Sequence, residues 1–240
     1  MFKRAALVLT VLMSHAAACA EAPEFVMIAP LNLSMPFVQF HKDKLAGGIL
    51  KDMGEAIAHR LGRTPRFVSV PGEAVSAFLA AGKADGICFV RPHWIDGEFD
   101  WSAAFMTEGE MIASRPDAPR IGALSDLRDR PVGTVASHRY PRIENVLGLR
   151  FQRVDSANVD DNLRKLLDGT VQHALMGLST LQYQARSNHA IKLRPDMAVS
   201  SFGAQCAFTR KGRVPFGEVD KAINALLKDG SVEKILERYR

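Results

Sequence analysis

Apolar residues in this chain come in short runs parted by polar turns, and the runs carry two periods. Residues 25–29 (FVMIA) form a continuous apolar run and predict a buried first strand. A Pro-punctuated loop with Asn32, Ser34 and Phe37 follows, up to the pair Gly47-Gly48. Ile49, Met53, Ile57 and Leu61 then recur every four residues, with Leu50 alongside. They predict a helix over 49–61, stopped by Gly62. A strand at 66–70, a helix at 73–81 closed by Gly82 and a strand at 86–90 complete an α/β unit with a parallel sheet.

The pattern then breaks and restarts. Residues 103–114 are apolar except for Glu108-Gly109-Glu110, and the Pro-rich segment 115–119 after them is read as a lobe boundary. Beyond it come a strand at 131–135, a polar turn at 136–141 and a short helix at 142–147. A strand at 150–154 and a helix at 159–167 follow, the helix ending at Asp168-Gly169. An apolar run at 173–177 leads into another helix reaching about Arg186. Residues 199–210 read as a return strand, and two amphipathic helices split by Gly230 close the chain. The halves echo one another. In FLAAGKADGI and KLLDGTVQHA a helix ends at Gly, a short polar link follows, and a buried strand begins. Two lobes of similar design are expected.

Charge narrows the partners. The chain carries 31 Lys and Arg against 26 Asp and Glu, with no basic run interleaved with aromatics, so nucleic acid is not an expected partner. Lys3-Arg4, an apolar run at 5–13 and the small residues Ala16-Ala17-Ala18-Cys19-Ala20 together predict a secretory signal peptide over residues 1–20. Its cleavage leaves 29 basic and 26 acidic residues. Lipidation at Cys19 is the second reading of the same segment. No other run is apolar enough to span a bilayer, so a periplasmic mature protein is expected. Of its two cysteines, Cys88 and Cys206, pairing and two buried thiols are both compatible with the apolar runs around them. Neither a metal site nor a cofactor is expected: the chain has no Cys-x-x-Cys and no His pair at helical spacing.

Residues 85–105 (DGICFVRPHWIDGEFDWSAAF) hold the richest chemistry. A buried strand ends at Arg91-Pro92 and presents Arg91, His93 and Trp94, which is how α/β proteins commonly expose a ligand site. Arg91 reads either as a bidentate anion clamp or as a surface partner of Asp96 or Glu98; Trp94 reads as a stacking wall or as packing.

Several stretches in order resemble the bacterial periplasmic solute-binding proteins that serve uptake of amino acids and similar small polar molecules, the family-3 type. They are MPFVQF with LAGGILKDMGEAIAHRLG, FLAAGKADGICFV, FDWSAAF, RPVGTVASH and the tail FGEVDKAINALLKDGSVEKILERYR. The resemblance implies a two-lobed α/β fold (type II) with crossing strands and a ligand cleft. The first lobe would be 21–110 plus 203–240 and the second 111–202. It also implies a monomer that closes on a small-molecule ligand and hands it to the permease of an ABC transporter; service as a ligand-sensing subunit of a membrane signalling protein or in a redox pathway is an alternative. Two recognition groups of that family's amino-acid binders depart from pattern. The Arg that clamps the ligand carboxylate should fall near Ile95, where the nearest cationic or titratable groups are Arg91 and His93. The acid that holds the ligand ammonium should fall near Gly177-Leu178, where the chain reads GLSTLQY. An ordinary α-amino acid is therefore not expected; with Arg91 and Arg139 facing across the cleft and no obvious acid, an anionic or carboxylate-bearing ligand is.

For the cleft, the expected ligand contacts are Asn32, Phe37, Arg91 and Trp94 from the first lobe. From the second they are Ser137, His138, Arg139, Tyr140 and Ser179, with Ser137 open to a plain helix-capping role. The competing reading is a periplasmic dehydratase or lyase resembling the cyclohexadienyl dehydratases. Its acid–base groups would have to come from His93, Glu98 and His138.

Overall fold

The computed structural model describes residues 22–240. The expected signal peptide and Cys19 lie outside the described residues. The first half contains β1 (Glu24–Pro30), the small hairpin β2 (Gln39–His41) and β3 (Lys44–Gly47), then α1 (Ile49–Arg60), β4 (Thr64–Val70), α2 (Val75–Ala80), β5 (Gly86–Val90) and β6 (Phe99–Trp101). The chain continues through β7 (Met106–Ser114), β8 (Pro131–Val135), α3 (Pro141–Leu147), β9 (Gln152–Ser156), α4 (Val159–Asp168), β10 (His173–Gly177) and α5 (Leu178–Ser187). The long β11 (Arg194–Thr209), α6 (Phe216–Lys228) and α7 (Ser231–Glu237) finish it.

Two parallel sheets meet on two shared strands. β1 lies between β4 and β5, parallel to both, and β8 lies between β9 and β10, also parallel to both. β11 runs antiparallel through both halves, pairing with β5 and β6 near its end and with β7 along most of its length. β7 in turn pairs with β10. The result is two α/β lobes on a pair of crossing strands. The Pro-rich segment at 115–119 comes after β7, so the chain has joined the second sheet before reaching it.

Burial on both faces explains why the strand runs lack polar alternation. Along β1, Phe25 and Met27 enter a core with α1, α6 and α7, while Val26 and Ile28 face a second core with Val75 and Leu79 of α2. The period of two thus survives as a choice between two cores. The second lobe repeats the plan. Val132 and Leu175 pack with Ile143 and Leu147 of α3, and Ala174 and Met176 with Leu163 and Leu166 of α4. Cys88 and Cys206 form a disulfide between β5 and β11.

Most expected elements stand within a few residues of their sequence limits. The hairpin β2–β3 and the short β6 were not anticipated, because three- and four-residue strands carry too few positions to show a period. The return strand is longer than expected, beginning at Arg194 rather than 199, since its first residues are half-exposed.

Candidate functional site

A cavity of about 130 Å³ lies between the lobes. Its first-lobe wall is aromatic. Phe37, from the loop after β1, stacks on Phe89 with ring centroids 3.7 Å apart. Trp94 meets Phe202 edge-on at 4.8 Å. Phe89 reaches this wall by a backbone device: its φ of 62° places Cys88 and Phe89 in the same core, where a regular strand would send them to opposite faces. Such a positive φ is costly for a bulky side chain and is typical of functional sites.

The second-lobe wall comes from the end of β8 and the turn after it, with β10 and the start of α5 behind. Val135, Ser137, His138, Arg139, Tyr140, Leu175, Met176, Gly177 and Thr180 line it. The Tyr140 hydroxyl accepts a hydrogen bond from the Val135 amide at 3.0 Å, which pins the turn. Burial, reinforced by the nearby Arg153 guanidinium, pushes the His138 imidazole down to about 4, so it is neutral at physiological pH.

Hydrogen bonds donated by three residues cross the cleft and hold the lobes closed. Asn32 Nδ2 donates to Ser137 Oγ at 2.8 Å, and the Val159 amide donates to the Asn32 carbonyl at 3.1 Å. Arg139 donates to the His93 carbonyl at 3.0 Å and to both oxygens of Asp96, the shorter bond being 2.6 Å.

Of the residues expected to contact ligand, Asn32, Phe37, Trp94, Ser137, His138, Arg139 and Tyr140 all line the cavity. Arg91 and Ser179 do not. The Arg91 guanidinium lies over the rings of Trp94 (5.6 Å) and Phe202 (5.1 Å), bracing the aromatic wall from outside the lining. The surface partners considered for it are engaged elsewhere, Asp96 with Arg139 and Glu98 with Arg210. Ser179 presents its backbone amide to Glu108. Among the groups considered for catalysis, His138 faces the cavity, whereas His93 and Glu98 are exposed outside its lining.

Two acids that sequence reasoning passed over also line it. Glu108 and Glu110 stand two apart on β7, a spacing that sends both side chains to one face of a strand. Glu108 Oε1 accepts from the amides of Gly109 (2.8 Å) and Ser179 (3.1 Å), at the first turn of α5. The carboxylate therefore sits beside Gly177, where the resemblance places an acid and the local sequence has none. The signal was present as the polar interruption in the apolar run 103–114. Burial raises both carboxyls, Glu110 up to about 7, although the Ser200 hydroxyl and the Arg91 charge pull it down.

Two α/β lobes closed over a cavity on crossing strands define a protein that captures a small ligand. The chain belongs to the bacterial extracellular solute-binding proteins, family 3, whose profile its residues 27–240 match. Solved structures share the fold. A mutant of ArgBP from T. maritima is 18% identical, with a TM-score of 0.74 over 90% of this chain and 94% of that one. The ancestral amino acid-binding protein AncCDT-1, a precursor of cyclohexadienyl dehydratase, is also 18% identical, with a TM-score of 0.75 over 90% and 95%. A histidine kinase sensor domain with similarity to periplasmic binding proteins is 20% identical, with a TM-score of 0.75 over 91% and 96%. No curated protein matches the sequence. No helix among the described residues is long and apolar enough to cross a membrane.

Proposed function

We propose that the protein is exported to the periplasm by its N-terminal segment, captures a small ligand by lobe closure and delivers it to the permease of an ABC transporter. The lobe limits that go with this reading are 21–110 plus 203–240 and 111–202. The observation that carries it is the cavity itself, walled by both lobes and bridged by Asn32–Ser137 and Arg139–Asp96. Closure of this kind is a hinge motion between two packed bodies. An anionic ligand, the expectation from sequence, has little to hold it. Arg91 lies outside the lining, Arg139 is committed to Asp96, and two carboxylates face the cavity.

The test is to unfold and refold the purified protein, so stripping bound ligand, and to screen metabolites by thermal shift and small-angle scattering. The true ligand raises the melting temperature by mass action and contracts the particle. A broad screen in which no compound does either would overturn the reading.

One observation favours a second reading, an enzyme on this scaffold. A carboxyl held near neutrality, as Glu110 is, suits a general acid. Incubation with prephenate-like acids should then release product, and inertness there excludes that reaction.

A further inference from the structure

The least satisfied polar atoms around the cavity are both acceptors. Glu108 is 2% exposed, and while its Oε1 takes two amide hydrogens, its Oε2 is buried with no partner among the described residues. Asn32 is 9% exposed, and while its Nδ2 donates across the cleft, its Oδ1 is likewise buried and unpartnered among the described residues. Buried carboxylate oxygens are rarely left alone, because desolvating one without a donor is costly. Both residues line the same cavity, and Glu110 adds a second carboxylate from the same face of β7. For the ionised Glu108, which the two amide bonds to its Oε1 favour, the missing partner is a donor, and a positive one matches its charge.

The rest of the lining shows what such a donor would be attached to. Phe37, Phe89, Trp94 and Phe202 on one side and Val135, Leu175 and Met176 on the other offer an apolar seat. No cation of the lining is left for a ligand carboxylate: Arg139 is spent on Asp96, the His138 ring is neutral, and Arg91, outside the lining, lies over Trp94 and Phe202 with its charge acting on Glu110. The Ser137 hydroxyl is engaged by Asn32.

From this we infer that Glu108 and Asn32 form a cation subsite, and that the ligand is an organic amine or guanidine with an apolar body and no carboxylate beside the charged group. The inference rests on the solute-binding reading and sharpens it. Glu108 Oε2 and Asn32 Oδ1 take the ligand's N–H groups, Glu110 adds field where it is ionised, and the aromatic wall covers the carbon skeleton. A zwitterion would place its carboxylate against this acidic lining and is disfavoured by the same charges.

The experiment compares three amines with the amino acids that share their side chains: phenethylamine with phenylalanine, agmatine with arginine, and cadaverine with lysine. 3-Phenylpropionate serves as the anionic control. Binding to the refolded protein is read by calorimetry. At least one amine is expected to bind, with its amino acid at least about tenfold weaker. In Glu108→Gln the amine's Kd should rise about thirtyfold or more, the usual scale for removing one partner of a buried charged pair. Far-UV circular dichroism should be unchanged. Should that variant fail to fold, Glu110→Gln, on the less buried acid, is expected to weaken the amine several-fold above neutral pH. An amino acid or 3-phenylpropionate binding as tightly as the amines, no amine binding, or full affinity in the variants would overturn the subsite. Closure on any other metabolite would leave the solute-binding reading standing. Silence from every class in the wider screen would remove both.

Discussion

Glu110 should make the stability of the ligand-free protein depend on pH in a way that one substitution removes. Burial raises its carboxyl from an ordinary 4.5 to about 7. The folded state therefore holds a proton that the unfolded chain releases between those values. That extra stability is fully present below about pH 4.5 and is lost as pH rises through about 7. At about 1.4 kcal/mol per pH unit, the gap amounts to roughly 3 kcal/mol. Glu110→Gln mimics the protonated side chain at every pH. Urea unfolding of wild type and variant, at several pH values between about 4.5 and 8, isolates this group because all other titrations cancel in the difference. The stability of wild type minus variant should fall by about 3 kcal/mol across the range. A flat difference, or one that grows with pH, would refute the argument that burial dominates over Arg91 and Ser200 at this site.

Other perturbations test the closed cleft and the scaffold. A Cβ on Gly72 would lie 2.5 Å from Ser137 Oγ and 2.6 Å from the Asn32 side chain, so Gly72→Ala should wedge the lobes apart. Small-angle scattering should show a larger radius of gyration and calorimetry a weaker ligand; an unchanged radius would count against closure through this contact. Arg139→Ala removes the Arg139–Asp96 bridge and should open the cleft without unfolding either lobe. In wild type, added salt should shift the same scattering signal in that direction, since exposed pairs are screened. Cys206→Ser should cost roughly 2–4 kcal/mol, because the disulfide closes a loop across a separation of 118 residues. Chemical denaturation with and without reductant measures this directly.

The architecture was legible because its strands and helices are long enough to show their periods, and because strand and helix alternate. Phe25–Ile28 and the four-residue spacing from Ile49 are enough to set out the first lobe. The aromatic wall was half legible. Phe37 and Trp94 stood out beside prolines, but Phe89 looked like an ordinary core residue until its backbone turned it. Glu108 was hidden for a different reason. A recognition group sought at one place in the sequence, after β10, reaches the same place in space from the neighbouring strand β7, and only the pairing of the two strands reveals it. The engagement of Arg139 with Asp96, 43 positions apart, is equally a product of closure rather than of local pattern.

The bond between Cys88 and Cys206 also has a topological effect. It joins β5 of the first lobe to β11, the strand that re-enters that lobe, so β6 through β10, with α3 to α5, lie inside one covalent ring. The second lobe is in effect a bead threaded on a closed loop. A protease that nicks it once, for example near the Pro-rich turn at 115–119, would yield two fragments under reducing electrophoresis and a single species otherwise. In the compartment to which the chain is expected to be sent, such a cut would leave the two halves tethered at the base, with β5 and β11 still side by side.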